Sequence, residues 1–268
     1  MLMKKLVQML FGNLYQNSRS NKTRQNIIYE KPFYQNRHLG KDFLILGTGS
    51  TLVSYGDAIK SFVKEKELIT IGVNNIVPFI VPDYHGFVNR HRFAQFGNTI
   101  NKAGSSGLLS INLPDSLIKQ HCSAPYELVM LKDSNDPGIT SLTDEGIIHH
   151  HGSVATYMIM VAYVMGARSI YVAGVDGLKS FDKGGKDESK VHYQDMPYRI
   201  NKKSNLDGAG REKKYRRVEG INTRALTSIA KWAKGSNRTP FVLITPGSYN
   251  KYYDPSFLKG FLNEKIGK

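Results

Sequence analysis

A doubly wound α/β fold, with a single Rossmann-like, mostly parallel sheet and a lid insertion, is predicted by three features of this 268-residue chain. Strand-like apolar runs recur along it, several of them lack the polar alternation of a half-exposed strand, and helical patterns fall between them. Each element follows from its own residues.

The chain opens with a basic extension, 1–41, leading into a catalytic-sized domain, 42–268. Its first fifteen residues, MLMKKLVQMLFGNLY, hold too short an apolar run to span a bilayer, and no small-residue cleavage site follows, so export is not expected. As a helix, Leu2, Leu6, Met9, Leu10 and Phe11 fall broadly on one side with Lys4 and Lys5 near its edge, which suits an interfacial helix. A frayed or core-packed terminal helix is the alternative. Residues 12–41, rich in Asn, Gln, Arg, Lys and Tyr, lack periodicity and are expected to be a linker.

Strands are then predicted at FLILG (43–47), LITIGV (68–73), YHGFVN (84–89), GLLSINL (107–113), YELVMLK (126–132), SIYVAGV (169–175) and PFVLITP (240–246). Helices are expected at about 54–65, 153–166 and 219–235, with a last one near 255–266. Residues 177–218 break the rhythm: they are polar, glycine-containing and without a core element. An insertion of that length is expected to be a lid over the site, with a surface loop as the alternative.

The formal charge of +15 is unevenly spread. Residues 1–41 hold eight Lys/Arg against one acid and 177–218 hold twelve against six, which leaves a surplus of two for the rest. A nearly neutral body with a basic arm and a basic loop suits an anionic lipid surface or a phosphorylated substrate better than a nucleic-acid face, and no nucleic-acid partner is expected. The single cysteine, Cys122, allows no internal disulfide and fits a reducing compartment.

Chemistry-bearing residues gather at predicted strand ends, where ligands of open α/β sheets sit. The stretch ILGTGSTL (45–52) runs from a strand through a glycine turn into a helix. Gly47 and Gly49 let the chain come close to a ligand while Thr48, Ser50 and Thr51 offer hydroxyls, although the stretch is neither of the usual glycine-rich phosphate loops. A ligand cradle and a plain tight turn both stay open. Asn74, Asn75 and Asn89 end the second and third strands; asparagine donates and accepts without adding charge, and is also an ordinary turn former. Ser153 stands at the start of an apolar helix, able to cap it or to face a ligand, and Asp176 follows the strand SIYVAGV, able to bind a hydroxyl or organise the turn. The run His149–His150–His151 places His149 and His151 on one face and His150 on the other, so three ligands to one metal are not expected and pocket lining is favoured.

These spacings carry a resemblance. Gly152-Ser153-x-x-x-Tyr157, Gly166, IYVAGVD (170–176) and LITPGSYN (243–250) resemble the family-42 bacterial sialyltransferases and the wider group of MptE-like 6-hydroxymethylpterin diphosphokinases and motility-associated factors. The first glycine turn matches in place but lacks the proline usual there. PFIVPDYHGFVNRHRF (78–93) and AGVDG (173–177) are similar to domains of surface-polysaccharide clusters. The resemblance implies a metal-independent glycosyltransferase that uses a CMP-activated acidic sugar, sialic acid or another nonulosonate, in surface glycan synthesis. It implies nucleotide binding by Gly47, Thr48, Gly49, Ser50, Asn74, Asn89, Ser153 and Asp176. It also implies a lid histidine as general base with tyrosines on the departing phosphate. VHYQDMPYR (191–199) supplies His192, Tyr193 and Tyr198 for those roles, with Arg199 as added positive charge and His149 or His151 as the backup base. His192 stands farther ahead of the next helix than the family places its base. No cofactor is expected beyond the donor, and no metal, since Asp-x-Asp is lacking. The expected partners are the nucleotide sugar, a glycan or lipid-linked acceptor, an anionic membrane surface met by the basic N-terminus and a second copy in a homo-oligomer, in the cytoplasm or at the inner face of the membrane. Pyrophosphate transfer to a pterin alcohol is the rival activity, disfavoured because strand-end acids are limited to Asp83 and Asp176; a non-catalytic sugar-nucleotide or glycan-binding protein is the rival outside catalysis.

Overall fold

The computed structural model describes residues 34–177 and 208–262. Residues 1–33 and 178–207, with them most of the expected lid and His192, Tyr193, Tyr198 and Arg199, lie outside the described residues.

The architecture is an α/β Rossmann-like fold built on a seven-stranded sheet whose order is β10-β9-β1-β2-β3-β4-β5, every pairing parallel. The strands are β1 (Asp42–Leu46), β2 (Ile69–Val73), β3 (Tyr84–Phe87), β4 (Ser106–Ser110), β5 (Tyr126–Val129), β9 (Ser169–Ala173) and β10 (Val242–Leu243). Their apolar runs lack alternation because both faces are covered. In β1, Phe43 and Ile45 enter one core layer while Leu44 and Leu46 enter the other.

The first layer is dominated by α5 (Val154–Val164), buried at every position from Ala155 to Val164, with α6 (Gly208–Gly235) contributing Leu226, Ile229 and Ala233. A helix apolar all round has to be wrapped on all sides. One wrapping is the chain at 36–40, whose N–H groups at Asn36, His38 and Gly40 donate to the carbonyls of Val164, Met165 and Gly166 at the helix's C-terminal end. The fold therefore reaches back to Tyr34, which is 1% exposed, and the last residues of the expected linker are part of the domain. On the opposite face, α1 (Thr51–Lys66) packs Leu52, Ile59 and Phe62 with Leu258 of α7 (Ser256–Lys259).

Several elements were not expected. Short helices α2 (Arg90–Phe96), α3 (Asn98–Ala103) and α4 (Asp115–His121) cover β3 and β4, contributing Phe93, Ile100 and Ile118 to a third cluster. A small mixed sheet, in the order β6-β8-β7, joins β6 (Leu131–Asp133), β7 (Thr140–Leu142) and β8 (Ile148–His150), each three residues long and too short to leave a periodic signal. The helix expected at 219–235 begins at Gly208, so the last eleven residues of the expected lid belong to α6. Among the described residues, no helix is long and apolar enough to cross a membrane.

Candidate functional site

The connection from β1 runs towards β2 and that from β9 towards β10, on opposite sides, so the sheet's switch point lies between the carboxyl ends of β1 and β9. Gly47 and Gly49 stand there because the two chain ends continue side by side past the strands: Gly47 N–H donates to Ala173 O and Gly49 N–H to Gly174 O, each at 2.8 Å. A Cβ on Gly47 would collide with the Gly174 carbonyl, and one on Gly49 with the Asp176 carboxylate.

That carboxylate is what the glycine turn holds. Asp176 Oδ2 accepts from Thr51 N–H at 2.8 Å and from Ser50 Oγ at 3.4 Å, and Oδ1 accepts from Thr51 Oγ1 at 2.5 Å. An acid from the end of β9 thus caps α1, whose preceding residue Ser50 makes no side-chain cap of its own. Asp176 is 5% exposed; burial pushes its carboxyl above the usual range, and the bonds from Thr51 and Ser50 oppose that rise.

The other strand-end residues are engaged close to home. Thr48 is buried in the turn. Asn74 adopts a left-handed backbone (φ +52°), and its carbonyl accepts from His85 Nε2 at 2.5 Å. His85 is fully buried, which pushes its imidazole down to about 4, and its Nδ1 has no hydrogen-bond partner among the described residues. Asn89 caps α2, its Oδ1 accepting from His91 and Arg92 N–H at 2.9 and 3.2 Å. Ser153 caps α5, its Oγ accepting from Thr156 N–H at 3.3 Å. Ser153 therefore caps its helix, one of the two roles expected for it, and Asn89 caps a helix as well, a role not expected for it.

The histidine run obeys the strand alternation. His150 is buried, with Nδ1 bonded to Thr140 Oγ1 at 2.9 Å and Nε2 to Ser153 O at 3.1 Å, and burial pushes it down to about 4. His149 is half-buried and His151 exposed. Asp83 sits at the opposite, amino edge of the sheet, where its carboxylate accepts from Thr70 N–H at 2.8 Å and Thr70 Oγ1 at 2.7 Å, so Asp176 alone of the two expected strand-end acids lies at the ligand edge. Among the described residues, no group of three or more His, Cys, Asp or Glu side chains could hold a metal ion.

Beside Asp176 opens a cleft of about 510 Å³, lined by Arg216, Glu219, Gly220 and Thr223 of α6 and by Gly247, Ser248 and Asn250 after β10. Its floor is rigid. Ser248 N–H donates to Asp176 O at 2.7 Å, and a Cβ on Gly247 would stand 2.6 Å from that same oxygen. Tyr249 is buried, and its hydroxyl bonds to Asn222 of α6, whose Oδ1 accepts from Ser153 N–H at 3.0 Å. Burial, with Glu219 and Asp176 nearby, pushes the Tyr249 hydroxyl up to about 12 against the Asn222 bond, so it stays protonated. Tyr249, Asn222 and Ser153 thereby lock the loop after β10, α6 and the start of α5 into one frame. Sequence reasoning missed Arg216, Glu219, Asn222 and Thr223. The signal available was a polar face at helical spacing; placing the helix start at 219 hid Arg216, whereas Glu219, Asn222 and Thr223 lay inside the expected helix.

No protein-family profile matches the sequence, and no curated protein matches it. Among solved structures, a MAf glycosyltransferase from Magnetospirillum magneticum AMB-1 is similar at 14% identity and a TM-score of 0.41, over 59% of this chain. This protein spans about 27% of that chain's length.

Proposed function

We propose that this protein is a metal-independent glycosyltransferase that transfers an acidic sugar, sialic acid or another nonulosonate, from its CMP-activated form to a glycan or lipid-linked acceptor. The observation that carries the reading is the polar cleft at the carboxyl edge of a parallel sheet, next to its switch point, formed partly by the segment LITPGSYN (243–250) on which the family resemblance rests. The cleft, of about 510 Å³, is open and polar. It offers what a nucleotide sugar needs: a guanidinium for phosphate, a carboxylate and hydroxyls for sugar hydroxyl groups, and walls held by buried hydrogen bonds.

In this reading His192 deprotonates the acceptor hydroxyl as it attacks the anomeric carbon, and the C–O bond to the phosphate breaks with CMP as the leaving group. Tyr193 and Tyr198 donate to the phosphate as its charge grows. The basic segments 1–41 and 177–218 fit work against an anionic membrane surface or substrate. The test is incubation of the full chain with CMP-sialic or CMP-pseudaminic acid, with CMP release followed by chromatography in the presence and absence of EDTA. CMP should appear in both, and His192→Ala should slow its release by about a hundredfold or more. Absence of CMP release and of CMP binding would refute the reading; full turnover by the variant would remove the base assignment.

A further inference from the structure

Resting on that reading, we infer that the donor's phosphate binds in the α6 cleft against Arg216, with Asn250 beside it, and is kept out of the glycine turn by Asp176. Two independent sets of contacts carry this.

The first is at the turn. The amide a phosphate would use at the start of α1, Thr51 N–H, already donates to Asp176 Oδ2 at 2.8 Å, and Thr51 Oγ1 donates to Oδ1 at 2.5 Å. Even a Cβ on Gly49 would strike that carboxylate, so the space a phosphate would enter is filled. A phosphate brought there would meet a buried like charge. Asp176 cannot leave easily, because its carbonyl accepts from Ser248 N–H at 2.7 Å and Gly247 packs against its backbone. The turn that suggests a phosphate cradle in the sequence is closed by an internal anion.

The second is at the cleft. Arg216, Glu219, Gly220 and Thr223 follow one another at helical spacing, so they form one wall about 10 Å long, at 1.5 Å per residue. Gly247, Ser248 and Asn250 form the other. Arg216 is the basic residue lining this cleft, and a planar guanidinium suits phosphate oxygens better than any other side chain there. Glu219, one turn along from Arg216, accepts from hydroxyl groups and repels a phosphate, and its Oε1 and Ser248 Oγ both border Gly177, so a nucleotide lies with its phosphate towards Arg216 and its hydroxyls towards Glu219 and Ser248.

The test compares CMP with cytidine by titration calorimetry on the full chain, on Arg216→Ala and on Asp176→Asn. Arg216 is exposed, and an unchanged melting temperature checks that its replacement leaves the fold intact. The expected result is CMP affinity about tenfold weaker in Arg216→Ala with cytidine affinity unchanged, the size of one lost charge-assisted hydrogen bond. Unchanged CMP affinity in Arg216→Ala, or equal weakening of CMP and cytidine, would overturn the inference while leaving the nucleotide-sugar reading standing. Tighter CMP binding by Asp176→Asn together with indifference to Arg216→Ala would place the phosphate at the turn instead. A wild-type chain that binds neither ligand would sink the nucleotide-sugar reading, and this inference with it.

Discussion

Replacing Gly49 by alanine puts a methyl group where the Asp176 carboxylate lies, 2.7 Å from Oδ1 and closer still to Cγ and Oδ2. The backbone on both sides is pinned by the Gly49–Gly174 and Ser248–Asp176 main-chain bonds, so the carboxylate has to swing away. It then loses Thr51 N–H, a helix cap worth about 1–2 kcal/mol, and Thr51 Oγ1, a bond to a charged group worth about 1.5–3 kcal/mol. The expected cost is about 3 kcal/mol, hence a melting temperature lower by roughly 6–12 °C for a domain of this size. Asp176→Ala loses the same bonds but also relieves the desolvation that raises this carboxyl, so it should cost less, about 2 kcal/mol. The decisive measurement is the double-mutant cycle by urea denaturation. Without the carboxylate there is nothing for the methyl to strike, so Gly49→Ala should cost under about 1 kcal/mol in the Asp176→Ala background, a coupling of about 2 kcal/mol. A Gly49→Ala cost that is the same in both backgrounds would show that the turn is closed by something other than Asp176.

Two further outcomes follow from buried polar groups. His85 and His150 are both held near 4 in the fold against about 6.5 in an unfolded chain, so the unfolded state takes up protons that the fold refuses as the medium acidifies. Stability is complete above about pH 6.5 and falls as pH drops towards 4, with about 2 kcal/mol lost per imidazole by pH 5; urea midpoints that stay flat from pH 7.5 to 5 would refute the assignment. Asn222→Leu keeps the helix but strips the partners from Ser153 N–H and the Tyr249 hydroxyl, so it should cost about 2–3 kcal/mol and weaken CMP binding, whereas a variant of wild-type stability would mean the frame is not built on Asn222.

The strand order of chemistry along the chain was legible because burial on two faces leaves a mark in sequence. FLIL at β1 and SIYVA at β9 have no polar alternation, and together with the helical patterns between the strands that places them inside a covered parallel sheet. The cap at Ser153 was legible for the same local reason, since a serine ahead of an unbroken apolar helix has an orphan amide within reach. The small sheet was not legible, because three-residue strands carry no period, and neither was the length of α6, whose first turns are polar and glycine-containing. His150 shows the boundary well. Alternation separates it from His149 and His151, but only packing against Thr140, Ser153 and Thr156 makes it a buried neutral ring.

What the residues themselves determined was local and periodic: a parallel α/β sheet, a glycine turn after its first strand, an acid after the strand SIYVA, and polar groups at the carboxyl edge. Only the tertiary structure decided that these meet as they do. Thr51 and Asp176 are 125 positions apart, and no spacing rule links the start of α1 to the end of β9. Strand adjacency across the switch point brings the carboxylate onto the helix start, and the same adjacency sets α6 opposite the loop after β10. A helix N-terminus favours a negative charge, and the fold supplies one from within the chain.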